Sequence, residues 1–367
     1  MSDTDSPADS PAHRTAMRRQ ADACARLGSP FTARLLRLAA DRLDKGTAPG
    51  ARVLGWPGDP LHTGDAVALR LAGGLHALVL AGADAALARA YADHADLSDD
   101  ALWEAVHDAL TTHPDHLLHW LDSPPQTNEP ARAAVLIAAG HWLAARFGRP
   151  LVLSELGASA GLNLRWDAYA LEVAGQRFGP AGAALTLRPD WTGAPPPAAP
   201  PRVIDRAGVD LNPLDPVRDR LRILSYVWAD QSARLARMRA ALDLAAAVPV
   251  ALAQDDAAPW LESRLQTAPA DALHLIFHTV VWQYFPFETD RRARAALDRA
   301  GAEAHAQAPL ARLGMEQDAT GAPGAAIWLD LWPGGRVDLG RADFHGRWVD
   351  WRAPLPDAAL PDTAPPA

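Results

Sequence analysis

The stretch Leu151–Leu164, LVLSELGASAGLNL, decides how the rest of the chain is read. An apolar run, Leu151-Val152-Leu153, meets an acid, Glu155. A turn of small residues, Gly157-Ala158-Ser159-Ala160-Gly161, then leads into a predicted helix over Leu162–Ala168. Strand, acidic tip, glycine turn and helix N-terminus, in that order, are how open α/β sheets build sites for nucleotide-type ligands. Glycine at such a turn lets the backbone approach a ligand that a side chain would hold away.

Working outward, three later apolar runs also end in polar residues. Val203-Ile204 or Ala207-Gly208-Val209 precedes Asp210, Val248–Ala253 precedes Asp255-Asp256, and Leu273–Phe277 precedes His278. Each predicts a strand, and ligands of α/β sheets lie outside the carboxyl ends of the strands. An acid after the second strand suits the vicinal hydroxyls of a ribose, and one after the third can reach an adenine amino group. Glu155 repels a pyrophosphate but suits an ammonium or sulfonium cation. No G-x-x-x-x-G-K-[ST] loop is present, which disfavours a P-loop ATPase.

Upstream of residue 150 the pattern predicts helices only: Arg14–Leu27, one opening at Ser29-Pro30 with Ser29 as N-cap, Ala66–Leu80, Asp84–Asp93, and Asp99–Thr112 behind Ser98. Asn128 is the expected N-cap of a helix over Glu129–Phe147. Gln126, Asn128, Glu129 and Arg132 at that junction are candidates to line a substrate pocket beside the first strand. Further on, Leu171–Val173 and Leu185–Leu187 read as a hairpin, and Asp230 as the N-cap of a helix carrying Leu235, Met238 and Leu242. A helix over Glu288–Arg299 follows. Pro309–Trp351 reads as antiparallel strands around Pro333-Gly334-Gly335. The expected organisation is a disordered start (1–12), a helical subdomain (13–125), an α/β domain (126–351) and a disordered tail (352–367).

Composition narrows the function classes. With 35 basic and 44 acidic side chains the formal charge is −9, the wrong sign for a broad phosphate-backbone footprint, so no nucleic-acid partner is expected. No apolar run approaches the roughly 20 residues of a bilayer span, and no signal peptide is expected; a cytoplasmic protein without a membrane partner fits. The lone Cys24 excludes an internal disulfide. His274 and His278 spell H-x-x-x-H, but on a strand they stand about 13 Å apart, so no metal site is expected.

The segment ELGASAGLN resembles the first motif of class I S-adenosylmethionine-dependent methyltransferases, E/D-x-G-x-G-x-G, with Ser159 replacing the middle glycine. GVDLNP at Gly208–Pro213 and QDDAAPWL at Gln254–Leu261 resemble their second- and third-strand acids. More closely, GSPFTARLL, ALRLAGGLHALVLAG, QTNEPAR, VWADQSARL, HTVVWQYF and HGRWVDW are similar to segments of a bacterial family of unassigned function, domain of unknown function 2332.

The methyltransferase resemblance implies a Rossmann-like, mostly parallel sheet with antiparallel strands near the C-terminus. It also implies S-adenosylmethionine as cofactor and a small-molecule substrate. Glu155, Gly157, Ser159, Gly161, Asn163, Asp210, Asp255 and Asp256 would then hold the cofactor. His278 would serve as base, and Tyr284 and Trp282 would shape the acceptor pocket. Two rival readings stay open. One is a degenerate fold that binds an adenosyl ligand, or scaffolds a partner, without turnover. The other is a serine hydrolase, since Gly157–Gly161 also spells G-x-S-x-G, with Ser159, Asp255 or Asp256, and His278 in hydrolase order.

Overall fold

A computed structural model describes residues 11–266 and 270–356. Its helices begin with α1 (Pro11–Arg26), α2 (Pro30–Arg42), α3 (Ala48–Leu54), α4 (Val67–Leu80), α5 (Ala85–Ala92), α6 (Asp99–Thr112), α7 (Pro114–Leu121) and α8 (Ala133–Phe147). Strands β1 (Leu151–Leu156), β2 (Ala170–Val173), β3 (Gln176–Phe178), β4 (Thr186–Leu187), β5 (Asp190–Thr192) and β6 (Val203–Asp210) follow. Next come α9 (Arg220–Ser225), α10 (Ser232–Ala247), β7 (Ala251–Gln254), α11 (Ala257–Leu265), β8 (Leu273–Thr279) and α12 (Phe287–Glu303). The chain closes with β9 (Leu310–Glu316), β10 (Ala325–Trp332), β11 (Arg336–Ala342) and β12 (Trp348–Trp351). No single helix among the described residues is long and apolar enough to cross a membrane.

The chain divides into two compact units, one of Met1–Thr127 with Arg218–Arg239, the other of Asn128–Val217 with Ala240–Ala367. The first is helical among its described residues, with a core that includes Met17, Leu36, Leu43, Leu54, Leu75, Leu87 and Leu102. Ser29 precedes α2 as expected, but its side chain does not cap the helix. The Asp230 carboxylate does so instead, accepting from Phe31 N at 2.9 Å and from the Ser29 hydroxyl. Asp230 therefore serves a helix distant in sequence, not α10, which it was expected to open. Residues 1–10 of the expected disordered start lie outside the described residues, while Pro11 and Ala12 are helical. Likewise 357–367 of the expected tail lie outside them.

The second unit is α/β. Its nine-stranded sheet runs β5-β12-β11-β10-β9-β8-β1-β6-β7. Strands β7, β6, β1, β8 and β9 are parallel neighbours, and β9 to β12 form an antiparallel run. Successive parallel strands step outward from β1 to β6 and β7, then return to its other side as β8 and β9. The order thus reverses between β1 and β8. The expected hairpin is corrected: β2 pairs antiparallel with β3 and parallel with β4, because Gly175 supplies the tight turn directly after β2.

Register sets which side chains share a face. Glu155 pairs with Gly208 and Phe277, so those residues and Asp210 face one way. Leu156, Val209 and Ile276 face the other way, into a core with Ala258 and Leu261 of α11 and Ala293 and Leu297 of α12. The Glu155 face is covered by a 3-10 segment, Asn163–Ala168, where a regular helix was expected; Arg165 leaves helical geometry inside it (φ −108°, ψ 19°). That segment is fixed by Trp166, fully buried against Gly140 of α8, where a methyl group would fall 2.3 Å from the indole.

Candidate functional site at the tip of the first strand

The turn after β1 is held by its own protein. Gly157 N and Ala158 N donate to Val209 O at 2.9 and 3.0 Å, and Ser159 N donates to Asp210 Oδ2 at 2.8 Å. Gly161 N donates to Ala158 O at 2.7 Å, and Leu162 N to Asn128 Oδ1 at 2.8 Å. Those donors are not free to cradle a phosphate. Arg165, which sequence reasoning passed over, ties the turn down: its guanidinium donates to Gly161 O at 2.6 Å, Val248 O at 2.7 Å and Ala245 O at 3.2 Å.

Gly157 (φ +69°) and Gly161 (φ +64°) both need the left-handed region, and both also answer to packing. A methyl group on Gly157 would sit 2.4 Å from Val281, and one on Gly161 3.1 Å from Val250. Ser159 adopts φ +50°, a conformation that costs a non-glycine residue about 1–2 kcal/mol. Its buried hydroxyl has no partner. Ser159→Gly is therefore expected to stabilise the protein by about 0.5–1 kcal/mol, seen as a higher urea midpoint with unchanged slope. A lower midpoint would mean that the hydroxyl has a stabilising role.

Glu155 is the electrostatic centre of this site. It is buried, and its Oε2 has no hydrogen-bond partner. Burial, with the Asp210 charge nearby, drives its carboxyl well above the usual range against the opposing pull of Arg132, Arg165 and the Leu164 amide. Asn163, beside that amide, is fully buried, with neither end of its side-chain amide paired. A buried carboxyl oxygen and a buried amide left open lack the hydrogen-bond partners that protein interiors normally supply. Glu155, Ser159, Asn163 and Asp210 are thus gathered at one turn, with both Asp210 oxygens already accepting backbone N–H groups, from Ser159 and Asn212.

The other expected residues fall elsewhere. Asn128 does not cap the helix as expected: a 3-10 turn, Pro130–Arg132, capped by Glu129 through Ala131 N, precedes α8, and Asn128 is left to the turn after β1. Arg132 donates to Phe344 O and Thr279 O at the sheet's carboxyl edge. Gln126 belongs to the helical unit. Asp255 is exposed and accepts from Asp256 N. Asp256 caps α11 through Ala258 N and accepts from Thr289 Oγ1 at 2.7 Å, so its two oxygens serve the α11–α12 side. Tyr284 is 69 % exposed, and the Trp282 indole Nε1–H donates to Asp290.

His278 is the largest departure. β8 runs on to Thr279, so His278 lies inside the strand and, by alternation from Phe277, faces away from Glu155. It is fully buried; burial lowers its pKa against the pull of Glu316, whose Oε1 lies 2.7 Å from Nδ1. The hydrolase triad is overturned by this placement. Ser159 Oγ and His278 Nε2 are each buried without a hydrogen-bond partner, so they do not pair with each other, and the carboxylate partner of His278 is Glu316, not Asp255 or Asp256. Glu316 ends β9 in the same apolar-run-then-acid pattern that marked Glu155, and that signal was open to sequence reasoning.

Comparisons with curated proteins and with solved structures return no match. A family model described as "Uncharacterized protein conserved in bacteria (DUF2332)" matches residues 14–351. The sheet with its Glu155 tip and the helical unit from Arg14 onward fall within those residues, and the chain belongs to the DUF2332 family.

Proposed function

We propose that the α/β unit is a class I methyltransferase-type domain that binds S-adenosylmethionine at the tips of β1 and β6 and methylates a small molecule. The observation that carries this reading is Glu155, a buried carboxyl with an unpartnered oxygen beside the point where strand order reverses. An ammonium or sulfonium satisfies it; a phosphate does not. Glu155 and Asn163 would hold the methionine end of the cofactor, and Asp210, through its remaining lone pairs, the ribose. When bound, the cofactor supplies an electrophilic methyl carbon. The chain's part is to orient the acceptor and exclude water, for which proximity alone is worth up to about 7–11 kcal/mol.

A second reading, an adenosyl-ligand binder without turnover, is favoured by three features. Val281 lies over Gly157, Asp256 is spent as a cap, and His278 faces the other way. Thermal shift with S-adenosylmethionine, S-adenosylhomocysteine, NAD and ATP tests both. The first two, at about a hundredfold over their dissociation constants, should stabilise the protein by about 2.7 kcal/mol, and NAD and ATP should not. Binding with methyl transfer in an acceptor screen selects the first reading, and binding without it the second. Indifference to all four ligands overturns both.

A further inference from the structure

On the sheet face away from Glu155 lies a cavity of about 480 Å³ whose lining includes Trp282, Arg312, Glu316, Ala326 and Trp328. Register explains why they meet. Arg312, Gly314 and Glu316 alternate along β9, and Trp328 is the cross-strand partner of Gly314, its ring lying flat where a side chain would stand. A methyl group at Gly314 would fall 2.3 Å from the indole. The cavity therefore has an indole floor with the buried charges of Arg312 and Glu316 on the β9 side, while Arg294, Arg336, Asp318 and Asp338 bring further charges of both signs to its lining.

Both charges are built in. The Arg312 side chain is 7 % exposed; its guanidinium carbon lies 4.6 Å from the Trp282 ring centre and 5.8 Å from that of Trp328. Its Nε comes within 3.3 Å of Asp330 but is not aligned to donate to it. The Glu316 side chain is 5 % exposed. Its Oε1 is fully engaged, accepting from His278 and from the amides of Val281 and Trp282 at 3.0 and 3.1 Å, whereas Oε2 is buried without a partner. An ionised carboxylate fixed by three donors through one oxygen presents the other to a donor that the protein does not provide.

We propose that this cavity binds a small zwitterion of the amino-acid type, with its carboxylate on Arg312, its ammonium on Glu316 Oε2 and its side chain against the indoles. A simple anion leaves Glu316 unsatisfied and a simple cation meets Arg312, so a ligand carrying both charges answers the two buried groups together. The inference does not depend on the Glu155 reading, which concerns the other face of the sheet.

Thermal shift of the full chain with the proteinogenic L-amino acids, one at a time, tests it. At least one should raise the midpoint, and its methyl ester and N-acetyl derivative should each bind about tenfold more weakly or worse. Glu316→Gln should abolish the shift, as should Ala326→Leu, which fills the cavity from a half-buried position directly across from Glu316 while leaving both charged groups in place. Glu155→Gln should leave it intact, separating this cavity from the cofactor site. No response to any amino acid overturns the proposal. Equal binding of either derivative, or binding that survives Ala326→Leu, does so as well.

Discussion

Glu155→Gln is expected to raise the thermal midpoint at pH 8, to leave it nearly unchanged at pH 4, and to weaken S-adenosylmethionine binding on the order of a hundredfold. In the folded chain, burial first and then the Asp210 charge keep the Glu155 carboxyl protonated well above the usual range. In the unfolded chain it ionises near the ordinary value. Between those two values the folded state holds a proton that the unfolded state has lost, so rising pH costs stability. Below the ordinary value both states are protonated and the amide gains nothing. At pH 8 the neutral amide removes a buried acid with one oxygen unpaired, worth about 1–3 kcal/mol. The same change removes the anion that would meet the ligand's cation. Stability gained while binding is lost is the signature of a functional group, since a structural carboxylate would lose both. A lower midpoint at pH 8 would mean that Glu155 has a stabilising partner in the free protein.

Trp166→Ala should be the most destabilising single change in the α/β unit among those considered, at about 3–5 kcal/mol. Trp166 is 1 % exposed and holds the 3-10 segment that follows the glycine turn onto α8. Gly140→Ala forces a methyl group to within 2.3 Å of the same ring and should cost about 1–3 kcal/mol by overpacking. The double variant is expected to be more stable than the sum of the two losses implies, because without the indole the new methyl has room. Urea unfolding of the four proteins measures this coupling. Strict additivity would show that Gly140 is required for some reason other than the Trp166 ring.

What the sequence made legible was local. The turn after β1, the acid before it, the strand tip at Asp210 and the Pro333-Gly334-Gly335 reversal all follow from short patterns of apolar, small and turn-forming residues, whereas the strand expected over Val248–Ala253 begins only at Ala251 and runs to Gln254. Helices α4, α5 and α6 were legible for the same reason; Ser98 caps α6 as expected, and Asp84, read as the first residue of its helix, caps α5. What stayed hidden depended on partners far along the chain. Asp230 reads as a cap for its own helix, yet Ser29 and Phe31 are its partners. Asn128 reads as a cap too, but Leu162 takes its oxygen. α7 begins at Pro114, which reads as a breaker but serves as the first residue of a helix. His278 was misplaced because its face depends on the Glu155–Phe277 register, which is set by how β1 and β8 dock rather than by either segment alone.

Isothermal calorimetry of S-adenosylmethionine binding near pH 7, in buffers of different ionisation enthalpy, reads whether Glu155 gives up a proton to the ligand. If Glu155 is the protonated, unpartnered acid that receives the ligand's cation, binding must expel its proton. The wild-type protein should then release protons on binding, and Glu155→Gln should bind weakly with that release gone. Tight binding with the same proton count in both proteins, or no binding to the wild type at all, would contradict the account.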